Sequence, residues 1–136
     1  MKIAVSAVSF CKNKILRSEL LEHFPQTQFL MSQGVPCRDE LSNFYKNAQG
    51  VIVGTEKIDQ KLLEQFPQIK IISKYGVGTD NIDLNALNKL NIKFGFTGGV
   101  NKLSVAELTL GFMLALSHNI FLKGVPLTSG YWDKNG

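Results

Sequence analysis

The sequence predicts an α/β fold: a doubly wound, five-stranded parallel sheet in the order 2-1-3-4-5, followed by a long helix and a C-terminal arm. Two observations carry this. Short apolar runs suited to buried strands alternate along the chain with segments whose apolar residues recur at helical spacing. Regular alternation of this kind builds a parallel sheet with helices on both faces, the flavodoxin-like arrangement. A third observation sets the size: 136 residues is one domain's worth and long enough to bury a core.

The first strand runs from Lys2 to Ala7. Ile15, Leu16, Leu20 and Phe24 mark one face of a helix over 14–24, which Pro25 stops because proline lacks the N–H that a helix interior needs. Gln28 to Met31 form a short second strand. Leu41, Phe44, Tyr45 and Ala48 share one face of a helix over 39–48. Val51-Ile52-Val53 make a buried third strand, closed by Gly54. Asp59 can cap a helix whose apolar side is Leu62, Leu63 and Phe66, and Pro67 ends it. Ile69 to Lys74 are the fourth strand. Asp83 caps a short helix through Leu84, Leu87 and Leu90, and Ile92 to Phe96 are the fifth strand.

The last helix differs. Ser104-x-x-Glu107 has the spacing of a capping box and opens a helix over 102–121. Leu103, Leu108, Leu110, Phe112, Leu116 and Phe121 are among apolar residues on every side of it. A helix apolar all round must be buried on several sides, and one sheet covers only one. It is either a core helix or a helix that serves another lobe or subunit. The expected division is therefore 1–101 and 102–136.

Lys74-Tyr75-Gly76-Val77-Gly78-Thr79-Asp80-Asn81 is the stretch with chemical potential. It follows a buried strand and turns through two glycines, which let the backbone approach a ligand closely. Successive amides in such a turn can converge on an anion, and open α/β sheets bind ligands beyond the carboxyl ends of their strands. The amides of Val77 and Gly78 are thus candidate carboxylate ligands. A Gly-rich strand-to-helix turn with no ligand has the same pattern.

Composition narrows the classes. Net charge is +4, but lysines and arginines are scattered and no basic run is interleaved with aromatics, which argues against nucleic acid. Glu107, Thr109, Ser117 and His118 interrupt the longest apolar segment, which argues against a membrane span. Cys11 and Cys37 lack the spacing of a metal or redox motif and suit reduced thiols in a cytoplasmic protein. The N-terminal run reads as a strand and shows no cleavage signature.

Two segments, "SKYGVGTDNIDL" and "TGGVNKLSVAELTLGFMLAL", occur in an order and spacing that closely resemble the NAD-dependent D-isomer-specific 2-hydroxyacid dehydrogenases, the group that includes D-3-phosphoglycerate dehydrogenase. The resemblance implies reversible oxidation of a D-2-hydroxy acid to a 2-oxo acid. It implies a small 2-hydroxy or 2-oxo acid as ligand, held by Lys74, Tyr75, Gly76, Val77, Gly78 and Phe96. Lys74 stands where phosphoglycerate-type members carry an Arg that contacts substrate, and Lys keeps the charge without the bidentate geometry. Phe96 stands where many members have the Asn of an Asn-Thr-Pro sequence, which makes the wall there more apolar. Asn101, Ser104 and Glu107 match the motif that ends the family's substrate lobe. The resemblance also implies that the 102–121 helix packs in a homodimer interface, with Tyr131 and Trp132 near it.

The same comparison sets expectations about what is missing. Gly76-x-Gly78-x-x-Asn81 departs from the dinucleotide fingerprint Gly-x-Gly-x-x-Gly at its third position, and no acidic residue follows on a next strand. The resemblance places the NAD-binding lobe and the family's catalytic Arg, Glu and His beyond the segment around Ser129–Trp132. The expectation is a chain with no catalytic, cofactor or metal residue of its own, in which His23 and His118 are structural. Ser6 to Ser9 lack the glycine of a flavodoxin phosphate loop, and Gly54-Thr55 stand where a receiver domain needs its aspartate. The remaining rival is a non-enzymatic module that folds, dimerises or binds ligand without catalysis.

Overall fold

The computed structural model describes residues 1–132. Five parallel strands, β1 (Ile3–Val5), β2 (Thr27–Phe29), β3 (Gly50–Val53), β4 (Ile71–Lys74) and β5 (Lys93–Gly95), form one sheet in the order β2-β1-β3-β4-β5. Ile3 pairs with Gly50, Val51 with Ile72 and Ser73 with Gly95. The predicted sheet and strand order are therefore those of the molecule.

Successive strand residues point to opposite faces. Ala4, Val51, Val53 and Ile72 enter one buried cluster with Leu41, Leu62, Leu63, Phe66 and Leu87. Those partners come from or flank α3 (Arg38–Phe44), α4 (Gln60–Leu63) and α5 (Leu84–Lys89). Ile3 and Val5 enter a second cluster with Phe10 and Cys11, flanked by Leu16 and Leu20. These belong to α1 (Val8–Lys12) and α2 (Lys14–His23). Helices thus cover both faces, as a doubly wound sheet requires.

The capping residues act as the sequence suggests. Asp59 accepts from the Leu62 amide at 3.0 Å and Asp83 from the Ala86 amide at 2.9 Å. Asp59 also pairs with Arg38, whose hydrogen bond holds the carboxyl below its ordinary value.

Several boundaries differ. β1, β2, β4 and β5 are shorter than expected, because only the residues facing a neighbour strand join the ladder, while β3 gains Gly50; Ile69 is buried in the core ahead of β4. The second strand begins at Thr27, not Gln28. The helix α1 precedes α2, and Asn13 separates the two while accepting from the amides of Ile15 and Leu16. The helix expected over 39–48 ends at Phe44 and continues as a 3-10 turn, Tyr45–Asn47, that points the Tyr45 ring into the core.

A first compact unit spans Met1–Gly98 and a second spans Gly99–Gly136. The second contains α6 (Lys102–Ser117) and α7 (Ile120–Thr128). The single helix expected over 102–121 is corrected here. It breaks at Asn119, whose φ of 52° and ψ of 32° are left-handed, a conformation Asn tolerates at helix ends. The axis bends by 72° between the two helices. The segment expected as an arm from Leu122 is largely helix α7; positions 133–136 of that arm lie outside the described residues. Ser104 and Glu107 form no capping box: Asn101 is the N-cap, without a side-chain hydrogen bond, and Ser104 lies within the first turn.

Among the described residues of the second unit, Ala115 alone is buried. Leu103 is 72% exposed and Leu116 70%. No single described helix is long and apolar enough to cross a membrane.

Candidate functional site

The carboxyl ends of β1, β3 and β4 converge on the turn after β4. Lys74 ends that strand, and the Tyr75 amide continues the ladder by donating to Val53 O at 2.8 Å. The Tyr75 ring stands edge-on to Phe10 of α1, with centroids 5.3 Å apart. The chain then turns through Gly76, whose φ of +140° is reserved for glycine. A Cβ there would also lie 3.3 Å from Cε of Lys74, so the lysine packs against the backbone of the turn. At Gly78 a Cβ would sit 2.9 Å from Oδ1 of Asp80, so that carboxylate would have to turn aside.

Val77 and Gly78 are exposed, and among the described residues neither of their amides has an acceptor. The turn therefore presents two donors, open to water and without a protein acceptor among the described residues, at a strand's carboxyl end. That is the raw material of an anion nest.

The lysine beside it is held firmly. Nζ of Lys74 donates to the carbonyl of Gly54 and, at 2.7 Å, to Oδ1 of Asn81. Asn81 in turn donates through Nδ2 to the carbonyls of Gly54 (3.1 Å) and Glu56 (2.6 Å). Its own carbonyl accepts from the Ile58 amide at 2.9 Å. One side chain thereby joins the loop after β3 to the turn after β4.

The loop after β3 has a second anchor. Glu56 is 2% exposed; its carboxylate accepts from the Ser6 hydroxyl and, at 3.0 Å, from the Gly54 amide. Because Ser6 spends its proton on Glu56, Tyr45 donates to Ser6, at 2.6 Å. Burial pushes the Tyr45 phenol well above its ordinary value, outweighing the opposing bond to Ser6, so it stays protonated.

Two clefts flank the turn. One, of about 270 Å³, is lined by Val8, Ser9, Val35, Thr55 and Tyr75, together with Glu56. The other, of about 450 Å³, carries Asp80 and Asp83, Asp59 in its pair with Arg38, and Lys57. Of the residues the sequence singled out, Lys74, Tyr75, Gly76, Val77 and Gly78 lie on one turn. Phe96 follows the neighbouring strand, stacked on Phe94 at 5.9 Å; of the six residues, Tyr75 alone lines either cleft. Asn81 and Glu56 are the site residues that sequence reasoning missed. Asn81 had a signal, since it closes the same glycine stretch; buried Glu56 had none.

Other candidates sit elsewhere. His23 ends α2, and His118 lies between α6 and α7. Cys11 is buried with its thiol donating to Val5 O, and burial raises its pKa; Cys37 is exposed. Among the described residues no group of three or more His, Cys, Asp or Glu is placed to hold a metal. The Gly76–Gly78 turn does not have the form of a dinucleotide loop. A dinucleotide's pyrophosphate needs an open helix N-terminus directly after a Gly-rich turn. Here the helix after Gly76–Gly78 begins only at Leu84, and the Asp83 carboxylate already occupies its end.

Comparison with known proteins agrees with this architecture. The family model of the D-isomer specific 2-hydroxyacid dehydrogenase catalytic domain matches residues 14–131. A glyoxylate reductase from Thermofilum pendens is 35% identical over 100 residues, covering 73% of this chain and 30% of that protein. A D-3-phosphoglycerate dehydrogenase from Methanocaldococcus jannaschii is 36% identical over 99 residues, covering 71% of this chain and 19% of that protein. The solved 3-phosphoglycerate dehydrogenase of Entamoeba histolytica superposes with a TM-score of 0.68 at 31% identity, over 85% of this chain and 38% of that one. The chain thus spans well under half the length of the relatives it matches, and it belongs to the D-isomer specific 2-hydroxyacid dehydrogenases, whose catalytic domain its residues 14–131 represent.

Proposed function

We propose that this chain is the substrate-recognition part of an oxidoreductase that acts on the CH–OH group of D-2-hydroxy acids with NAD as acceptor. The observation that carries the reading is the pair of open amides at Val77 and Gly78, on a turn against which Lys74 packs. Two amides and a cation match the two oxygens of a carboxylate, and charge-assisted bonds are the strong ones. The neighbouring cleft, with Val8, Val35 and Tyr75 beside Ser9, Thr55 and Glu56, offers room for a small substituent. In the complete reaction NAD would accept the hydride, while these residues bind and orient the carboxylate. The two free cysteines suit a reducing, cytoplasmic setting.

The test is an NMR titration of the ¹⁵N-labelled chain with glycolate. The Val77 and Gly78 amide resonances should move together and saturate, with a roughly millimolar Kd for so small an anion. Saturable shifts confined to other residues overturn the reading. A parallel titration with NADH should give no saturable fluorescence change, and micromolar binding would show that residues 1–136 hold the cofactor after all.

The rival, a non-enzymatic module, draws support from the exposed apolar surface of α6. Self-association through that helix is compatible with both readings and belongs to the same proposal.

A further inference from the structure

We infer that Asn81 is the positioning residue that fits this site to a carboxylate and against a phosphate. The inference rests on the carboxylate reading above and adds a residue and a selectivity to it.

An ammonium has three donors. Lys74 commits one to the carbonyl of Gly54 and one to Oδ1 of Asn81. A single N–H remains. With the amides of Val77 and Gly78 the turn then offers three donors, which suffices for the two oxygens of a carboxylate. A phosphate carries three peripheral oxygens and up to two charges, and proteins usually meet it with bidentate arginines. Both arginines of this chain are engaged elsewhere: Arg17 lies over the Phe29 ring at 4.9 Å, and Arg38 pairs with Asp59. The Asp80 carboxylate stands against Gly78, where it repels a dianion more than a monoanion.

Asn81 is the hinge of this arrangement because its amide works in both directions. Its oxygen takes one donor from Lys74, while its nitrogen holds the carbonyls of Gly54 and Glu56. Gly54 O is therefore shared by Lys74 and Asn81. Without Asn81 the lysine keeps one protein partner and gains a free donor and room to move. Selectivity is then lost while the charge remains.

Two measurements on the full chain test this. The first titrates glycolate and inorganic phosphate against the amides of Val77 and Gly78. The unmodified chain should prefer glycolate by at least about tenfold, the worth of one charge-assisted bond. Asn81→Ala should lose most of that preference. Lys74→Arg, which supplies a five-donor fork, should bind phosphate at least about tenfold more tightly than the unmodified chain. The second measurement needs no ligand: the rate of Lys74 acetylation by acetic anhydride, read by mass spectrometry. Lys74 should react more slowly than exposed lysines such as Lys12, and Asn81→Ala should remove the protection.

If neither anion binds but Asn81→Ala frees Lys74, the carboxylate reading fails and the positioning role stands. If glycolate binds while Asn81→Ala changes neither selectivity nor Lys74 reactivity, the positioning role fails alone. Equal binding of phosphate and glycolate by the unmodified chain overturns the selectivity. Should Asn81→Ala prove insoluble, an unchanged phosphate affinity in Lys74→Arg overturns it equally.

Discussion

Gly76 shows how little the site tolerates at the level of one residue. Its φ of +140° strains any side chain on backbone grounds, and the packed Lys74 crowds one. Gly76→Ala should destabilise the chain by about 1–3 kcal/mol, the usual cost of a residue held in a disfavoured region. Urea denaturation monitored by circular dichroism reads that change directly. Tyr45 gives a second prediction, in pH. Its folded-state pKa is raised, chiefly by burial, so the unfolded chain loses the phenolic proton first. Stability is then fully present below about pH 10, the ordinary tyrosine value, and falls as pH rises beyond it. The denaturation midpoint should drop between neutral and strongly alkaline pH, and Tyr45→Phe should flatten that drop. An equal drop in the variant would assign the effect to other groups.

The elements were legible to the extent that their signals were local. Strand order followed from the alternation of strand and helix patterns, and Asp59 and Asp83 announced their helices by type and position. Asp83→Ala should cost about 1 kcal/mol, the usual worth of an N-cap, read as a lower urea midpoint. An unchanged midpoint would mean that packing of Ala86 and Leu87 fixes α5 without its cap. The misreadings fall where the local signal was ambiguous or where a distant contact decided. Ser104 and Glu107 have capping-box spacing, yet the cap is Asn101, three residues before Ser104. The apolar run gave no reason to stop before Phe121; Asn119 carried the only stop signal, and it is where the chain bends. The 3-10 turn at Tyr45 depends on Ser6, 39 residues away. Asn81 and Glu56 escaped notice for the same reason, since each acquires its role only when the ends of β3 and β4 meet.

At the scale of the whole molecule, the two units are built on different terms. The Met1–Gly98 unit buries apolar side chains on both sheet faces, whereas α6 and α7 bury little more than Ala115. The 16 residues of α6 span about 24 Å at 1.5 Å per residue, and their apolar side chains point in every direction. Phe112 is 51% exposed, Leu108 59% and Met113 61%. Soluble monomers seldom expose contiguous apolar patches beyond a few hundred Å². A second copy of the helix, related by a two-fold axis, offers the simplest cover, because the same patch then serves both partners. A specific interface of this kind should bury more than about 1,000 Å² in total. Light scattering of the 136-residue chain should therefore report a dimer or larger species at micromolar concentration. Phe112→Asp combined with Leu116→Asp places charges on that surface and should yield monomers. The sheet should remain folded in that variant, since neither side chain belongs to either buried cluster. A soluble, monodisperse monomer from the unmodified chain would refute self-association through α6 and require cover from a different partner.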